Sequence, residues 1–209
     1  MNFQTNKKEP RAVCERSVIM TQRQFIDFLK KIEPLKARTR HCWNPEGRRE
    51  SVAEHSWRLA LMPMLLRREF PQVNIDRVIQ MCLTHDIGEA VTGDVPAFLK
   101  TAEDEETEAE AISGLLQSLP REVAVQFAQL FEEMRAMETE EAKLYKALDN
   151  MEAVISHNET DISTWLPNEY ELQLTYGENN VQWSSWLQGL KEQVNQDTLS
   201  KIEQEKRGL

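Results

Sequence analysis

The stretch His85-Asp86-Ile87-Gly88-Glu89-Ala90-Val91-Thr92-Gly93-Asp94 holds one histidine, three carboxylates and two glycines in ten residues. On a helix, His85 and Glu89 are four apart and Asp86 and Glu89 three apart, so Glu89 adjoins both on one face. Such a segment can supply two metal ligands and an acid or base, the composition of a metal site beside a phosphate. Gly93, followed by Pro96, marks the helix end and leaves Asp94 on a loop at its mouth. Upstream, Asn74 can cap a helix with apolar Val78, Ile79, Met81, Cys82 and Leu83, which delivers His85 and Asp86 at its C-terminal end. A lone His-Asp pair is a common accident near a fraying helix end, so distant partners decide its meaning.

Working outward, the periodicity is helical nearly everywhere. Thr21 to Gln24 has capping-box spacing ahead of Phe25, Phe28, Leu29 and Ile32, which predicts a helix from about Gln22 to Glu33. Ser51 to Glu54 repeats that spacing before an apolar run through Leu59, Leu61, Met62, Leu65 and Leu66. A buried helix there should reach about Phe70, kinked at Pro63 where a backbone donor is lost. Further amphipathic stripes follow Pro120 (Val123, Phe127, Leu130, Phe131, Met134), run from Glu138 to Glu159, and end with Trp183, Trp186, Leu187, Leu190 and Val194. The tryptophan-rich face reads as core or dimer contact. Glu103 to Glu110, with six acidic residues, reads as a solvated helix face, since it lacks calcium-loop spacing. Residues 35–51 read as an irregular basic island, and no strand-like alternation persists. The expected fold is all-α, one helical domain over 21–209, with residues 1–20 a loose extension and Met20 an alternative start.

The bulk numbers narrow the class. At 209 residues the chain can bury one substantial core, and its three cysteines are too few and scattered for a disulfide framework, which fits a reducing cytoplasmic setting. No signal-peptide core or membrane span is visible. A net charge of −10 argues against binding polymeric nucleic acid, while a small phosphorylated ligand needs only a local basic patch.

Four histidines occur, and His55 lies in the helix preceding the one that carries His85-Asp86. Asp149, in Lys146-Ala147-Leu148-Asp149, lies far downstream. Taken in order, His55, His85-Asp86 and Asp149 resemble the metal-binding pattern of the HD-domain phosphohydrolase superfamily. The blocks Glu50-Ser51-Val52-Ala53-Glu54-His55-Ser56, His85 to Asp94 and Lys146 to Asp149 are similar to its 5'-deoxynucleotidase branch, which includes the bacterial YfbR-type enzymes and the HD domain-containing protein 2 group. The resemblance spans about Gln22 to His157.

The resemblance implies His55, His85, Asp86 and Asp149 as ligands of one divalent metal per chain, and two imidazoles with two carboxylates suit manganese, cobalt, iron, nickel, zinc or magnesium. It implies Glu89 and Asp94 as the groups that activate water and protonate the leaving group, and Arg40 as a phosphate-binding arginine, a role its bidentate guanidinium suits. The related bacterial pattern has a tryptophan directly after that arginine. Here His41 and Cys42 intervene before Trp43, so discrimination between deoxyribose and ribose is open, with His41 and Trp43 as candidates for the substrate loop. Nothing between Ile87 and Leu148 is a histidine, which within the superfamily favours a mononuclear phosphomonoesterase over a dinuclear enzyme. His157, about two turns beyond Asp149, is too distant for the same metal and has no assigned role. The implied activity is hydrolysis of nucleoside 5'-monophosphates by a homodimer. Other small phosphates, nucleotide diesters or triphosphates, and a non-catalytic nucleotide sensor remain open alternatives.

Overall fold

A computed structural model describes residues 20–208. The expected loose extension over 1–20 lies, but for Met20, outside the described residues. The order is α1 (Gln22–Ile32), a 3-10 turn (Glu33–Lys36), β1 (Thr39–Trp43), β2 (Arg49–Ser51), α2 (Val52–Leu65), α3 (Ile75–Thr84), α4 (Glu89–Thr92), α5 (Ala102–Leu116), α6 (Arg121–Ala136), α7 (Glu140–Glu159), a 3-10 turn (Ile162–Thr164), α8 (Glu169–Thr175), α9 (Glu178–Val181) and α10 (Ser185–Arg207). The all-α class stands. No helix among the described residues is long and apolar enough to cross a membrane.

Helix α7 is the axis of the fold. Its Ala142, Leu144, Ala147, Leu148 and Met151 are buried, and α2, α3, α6 and α10 pack around it. Leu59, Val78, Met81 and Leu187 complete one contiguous core. Trp183 packs against that core, whereas Trp186 is partly exposed and meets Phe70 edge-on. The capping boxes at Thr21 and Ser51 form as their spacing predicts.

Three local expectations are corrected. The basic island contains a two-stranded antiparallel hairpin, with Thr39 opposite Ser51 and Trp43 opposite Arg49, and its register shifts between Thr39 and Trp43. So short a pair is invisible to periodicity, and tertiary packing against α2 and α7 stabilises it. Helix α2 stops at Leu65 rather than near Phe70, because Pro63 withholds a donor from its last turn and Leu66 bonds only three residues back, to the Pro63 carbonyl. The stretch from His85 to Asp94 is not one helix: α3 ends at Thr84, and the chain turns through Ile87→Thr84 and Glu89→Asp86 amide-to-carbonyl bonds before α4. Gly88 permits this turn, since a side chain there would come within 2.9 Å of Glu108 Cγ on α5.

A second glycine pins the C-terminal half. Gly177, between α8 and α9, has φ +73° and sits where a Cβ would lie 2.7 Å from Asn150 Cβ on α7. Gly177→Ala is therefore strained in backbone and packing at once, and chemical denaturation should show a loss of about 2–4 kcal/mol. A loss below about 0.5 kcal/mol would show that the α8–α9 turn is not held against α7.

Candidate metal centre and adjoining cavity

The four residues His55, His85, Asp86 and Asp149 converge where α2, the end of α3 and α7 meet. His55 Nε2 lies 3.3 Å from His85 Nε2 and 3.2 Å from Asp149 Oδ1. His85 Nε2 is 2.9 Å from Asp86 Oδ2 and 3.7 Å from Asp149 Oδ1. The other ring nitrogens settle the tautomers. His55 Nδ1 donates to Glu152 Oε2 at 2.5 Å and His85 Nδ1 donates to the Cys82 carbonyl at 2.9 Å, which leaves each Nε2 on the side of the neighbouring carboxylates.

Two imidazole nitrogens and two carboxylates thus gather in one place, a donor set that a divalent cation, or protons on the imidazoles in its stead, holds together. Ligand atoms at about 2.0–2.1 Å from a tetrahedral metal stand roughly 3.3 Å apart, and the separations here bracket that spacing. The residues fit a divalent cation. On protein groups alone, burial and Arg40 work against charge on His55, and the Asp149 and Glu152 carboxylates outweigh them and hold its pKa up to about 10. Burial likewise opposes ionisation of Asp149, but Lys146, with Nζ 2.8 Å from Oδ2, and the two histidines hold that carboxyl well below its usual range.

Around this centre lies a layer of charge that the sequence reading did not single out. Glu152, fully buried, accepts from His55, from Arg40 Nη1 at 3.3 Å and from Ser156 Oγ at 3.0 Å. It stands three residues after Asp149 on the same face of α7, the helical spacing that could have revealed it. Arg40 Nη1 also donates to Glu50 Oε2 at 2.9 Å. Two carboxylates therefore grip one guanidinium nitrogen, and Nε and Nη2, which form no hydrogen bond among the described residues, stay free for an anion.

Glu89 is buried on α4 with Oε2 unpartnered. Burial, then Asp86, Asp94 and Glu108, push its pKa up to about 9 against the pull of Lys100. Asp94, half-buried after the Gly93 turn, is raised too, by burial first and then Asp86, with Arg40 and His55 opposing.

Arg40 and Asp94 line a cavity of about 80 Å³ that opens to solvent, whose walls include His41, Cys42, Phe98, His157, Glu169, Gln173 and Tyr176. Three consecutive hairpin residues, Arg40, His41 and Cys42, face the cavity although a regular strand alternates its side chains. The register irregularity in β1 re-aims them. Trp43 is outside the cavity wall, with the Arg49 guanidinium 5.0 Å from its ring.

His41, expected on a surface loop, is largely buried, with Nε2 3.0 Å from Glu169 Oε1 but not aligned for a hydrogen bond. His157 Nε2 donates to the same oxygen at 3.1 Å, and its Nδ1 donates to the Ala153 carbonyl at 2.9 Å with Cys42 Sγ at 3.3 Å. Burial disfavours the His157 imidazolium, but the Cys42 sulfur and the Glu169 carboxylate push its pKa up to about 10. Because the folded value exceeds the ordinary 6.5, this contribution to stability is complete below pH 6.5 and fades as the pH rises through about 10. The gap in thermal midpoint between the native protein and His157→Gln should be widest near pH 6 and close by pH 10. A gap that stays constant would mean that His157 is neutral.

Comparisons agree with this geometry. A family model described as HD domain matches residues 32–191. The chain is 32% identical over 141 residues to 5'-deoxynucleotidase HDDC2 of Homo sapiens, covering 66% of this chain and 68% of that protein. The Mus musculus protein of the same name is 35% identical over 140 residues, covering 65% and 69%. Among solved structures, one titled as a predicted metal-dependent phosphohydrolase from Magnetospirillum magnetotacticum MS-1 superposes with a TM-score of 0.73 at 30% identity, covering 86% of this chain and 93% of that one. With the family model matched across residues 32–191 and relatives at 32–35% identity, the chain belongs to the HD-domain family.

Proposed function

We propose that this protein is a metal-dependent phosphomonoesterase that hydrolyses nucleoside 5'-monophosphates, deoxynucleotides among them, to nucleoside and phosphate. The observation that carries this reading is the convergence of His55, His85, Asp86 and Asp149, side chains suited to a metal, beside an arginine anchored through one nitrogen that lines a solvent-open cavity. The names of the HDDC2 relatives point to the same substrate class.

A divalent cation held by His55, His85, Asp86 and Asp149 would draw charge from the phosphoryl oxygens and make water a better nucleophile. The free nitrogens of Arg40 bind two phosphate oxygens and offset the charge that builds as the bond to the 5' oxygen breaks. Water adds to phosphorus, its proton passes to a carboxylate, and the departing 5' oxygen takes up a proton. Glu89 and Asp94 carry those protons: Glu89 is buried near Asp86, and Asp94 lines the cavity beside Arg40. One cation per chain, a homodimer and a cytoplasmic setting complete the reading, and metal analysis with light scattering tests the first two.

The deciding experiment is a phosphate-release screen with manganese, cobalt, nickel, zinc or magnesium, across paired ribo- and deoxyribonucleoside mono-, di- and triphosphates. Orthophosphate from 5'-monophosphates is the expected product. Pyrophosphate or triphosphate release would overturn the reading, and inertness toward every substrate would favour a nucleotide sensor.

A further inference from the structure

We infer that Gln173 and Tyr176 form a base-reading subsite in the wall of the cavity that Arg40 also lines, so that the ligand is recognised by a nucleobase edge as well as by its phosphate. The inference rests on the phosphomonoesterase reading above and narrows it to ligands that carry a base.

Helix α8 and its cap present Glu169, Leu172, Gln173 and Tyr176 to the cavity, at the i, i+3, i+4, i+7 spacing of one helical face. These groups differ in what they have left to offer. Glu169 is spent: Oε1 accepts from His157 and Oε2 accepts the Leu166 amide at 2.6 Å. Gln173 is only 4% exposed, yet its side-chain amide makes no hydrogen bond among the described residues. Its amide atoms are not among the sealed, unpartnered polar atoms, so they reach the space the residue lines. The Tyr176 hydroxyl is likewise without a partner, and burial raises its pKa, which keeps the proton on. An amide whose donor and acceptor are both left free by the protein has both to offer a ligand that enters the cavity it lines.

The wall is rigid enough to discriminate. Lys191 Nζ donates to the Gln173 carbonyl at 3.1 Å, and Asn195 Nδ2 donates to the Leu174 carbonyl at 3.1 Å. The Tyr176 amide bonds to the Leu172 carbonyl at 2.7 Å, and Gly177 seats the following turn on Asn150. The backbone behind the amide is ordered before any ligand arrives, so less entropy is lost on binding. A carboxamide places a donor beside an acceptor, the complement of the paired donor and acceptor on a nucleobase edge. Leu172 and the Phe98 ring add apolar surface suited to a flat heterocycle rather than to a bare sugar.

The test is steady-state kinetics of the metal-loaded protein on four deoxynucleoside 5'-monophosphates and on 2-deoxyribose 5-phosphate, which keeps the phosphate and sugar and lacks the base. The native protein should favour the nucleotides in kcat/KM by about 100-fold or more. Gln173→Leu, similar in size and breaking no hydrogen bond among the described residues, should cut that preference about 10- to 100-fold, mainly through a higher KM for nucleotides, and Tyr176→Phe should cut it several-fold. A preference that both variants leave intact overturns the inference, as does a native protein with no preference for the base. In either case orthophosphate release would leave the phosphomonoesterase reading standing. A native protein that hydrolyses none of these substrates overturns both.

Discussion

Glu89→Ala should lower kcat by about 10²–10⁴-fold while leaving the protein folded and able to bind its metal. The carboxyl is buried, one oxygen has no partner, and its neighbours Asp86, Asp94 and Glu108 are all acidic. Removing it breaks no ion pair and no side-chain hydrogen bond among the described residues, so the thermal midpoint should hold or rise. A group kept for stability would behave in the opposite way. Metal affinity measured by titration calorimetry on the same variant separates the two roles. A variant within tenfold of native activity would remove Glu89 from the mechanism, and loss of metal with loss of turnover would make it a ligand instead.

Arg40→Ala should cost both activity and stability, and the two can be told apart. Its guanidinium is largely buried between Glu50 and Glu152, and breaking such a pair by removing one partner typically costs about 3–5 kcal/mol, because the abandoned charge stays buried. Glu152 also holds the His55 ring, so its altered charge reaches the metal centre. Adding Glu50→Gln to Arg40→Ala should recover part of the stability, since one unpaired carboxylate becomes neutral, but none of the turnover, since the guanidinium that binds phosphate is still missing. If the double variant regained activity, Arg40 would be a structural counter-ion and the phosphate would have another partner. Denaturant melts read the first effect and KM for phosphate monoesters the second.

The contrast between these residues shows why some of the site was legible early and some was not. His85-Asp86, His55 and Asp149 are legible because their order along the chain resembles the HD-domain pattern, a signal that none of them carries singly. Glu152 carries no such mark. A glutamate on a long helix is ordinarily solvated, and only the packing of α2 on α7 turns it into the hydrogen-bond acceptor that sets the His55 tautomer. His41 looked like a loop residue, because the hairpin that buries it is too short to show a period. His157 looked unemployed, because its partners, Cys42 and Glu169, are 115 and 12 residues away in the chain.

The amino-acid sequence by itself determined the helical class, the caps at Thr21 and Ser51 and the Gly93 stop, and its resemblance to the HD-domain family nominated His55, His85, Asp86 and Asp149 as metal ligands. The first three depend on local spacing, the last on an order of residues along the whole chain. The tertiary structure alone decided that His85 to Asp94 is a turn between two helices, that Arg40, His41 and Cys42 line one cavity, and that α8 supplies part of its wall. Those features arise from long-range packing around α7 and a register irregularity in a five-residue strand, where the energy comes from contacts between segments and leaves no periodic trace in the chain.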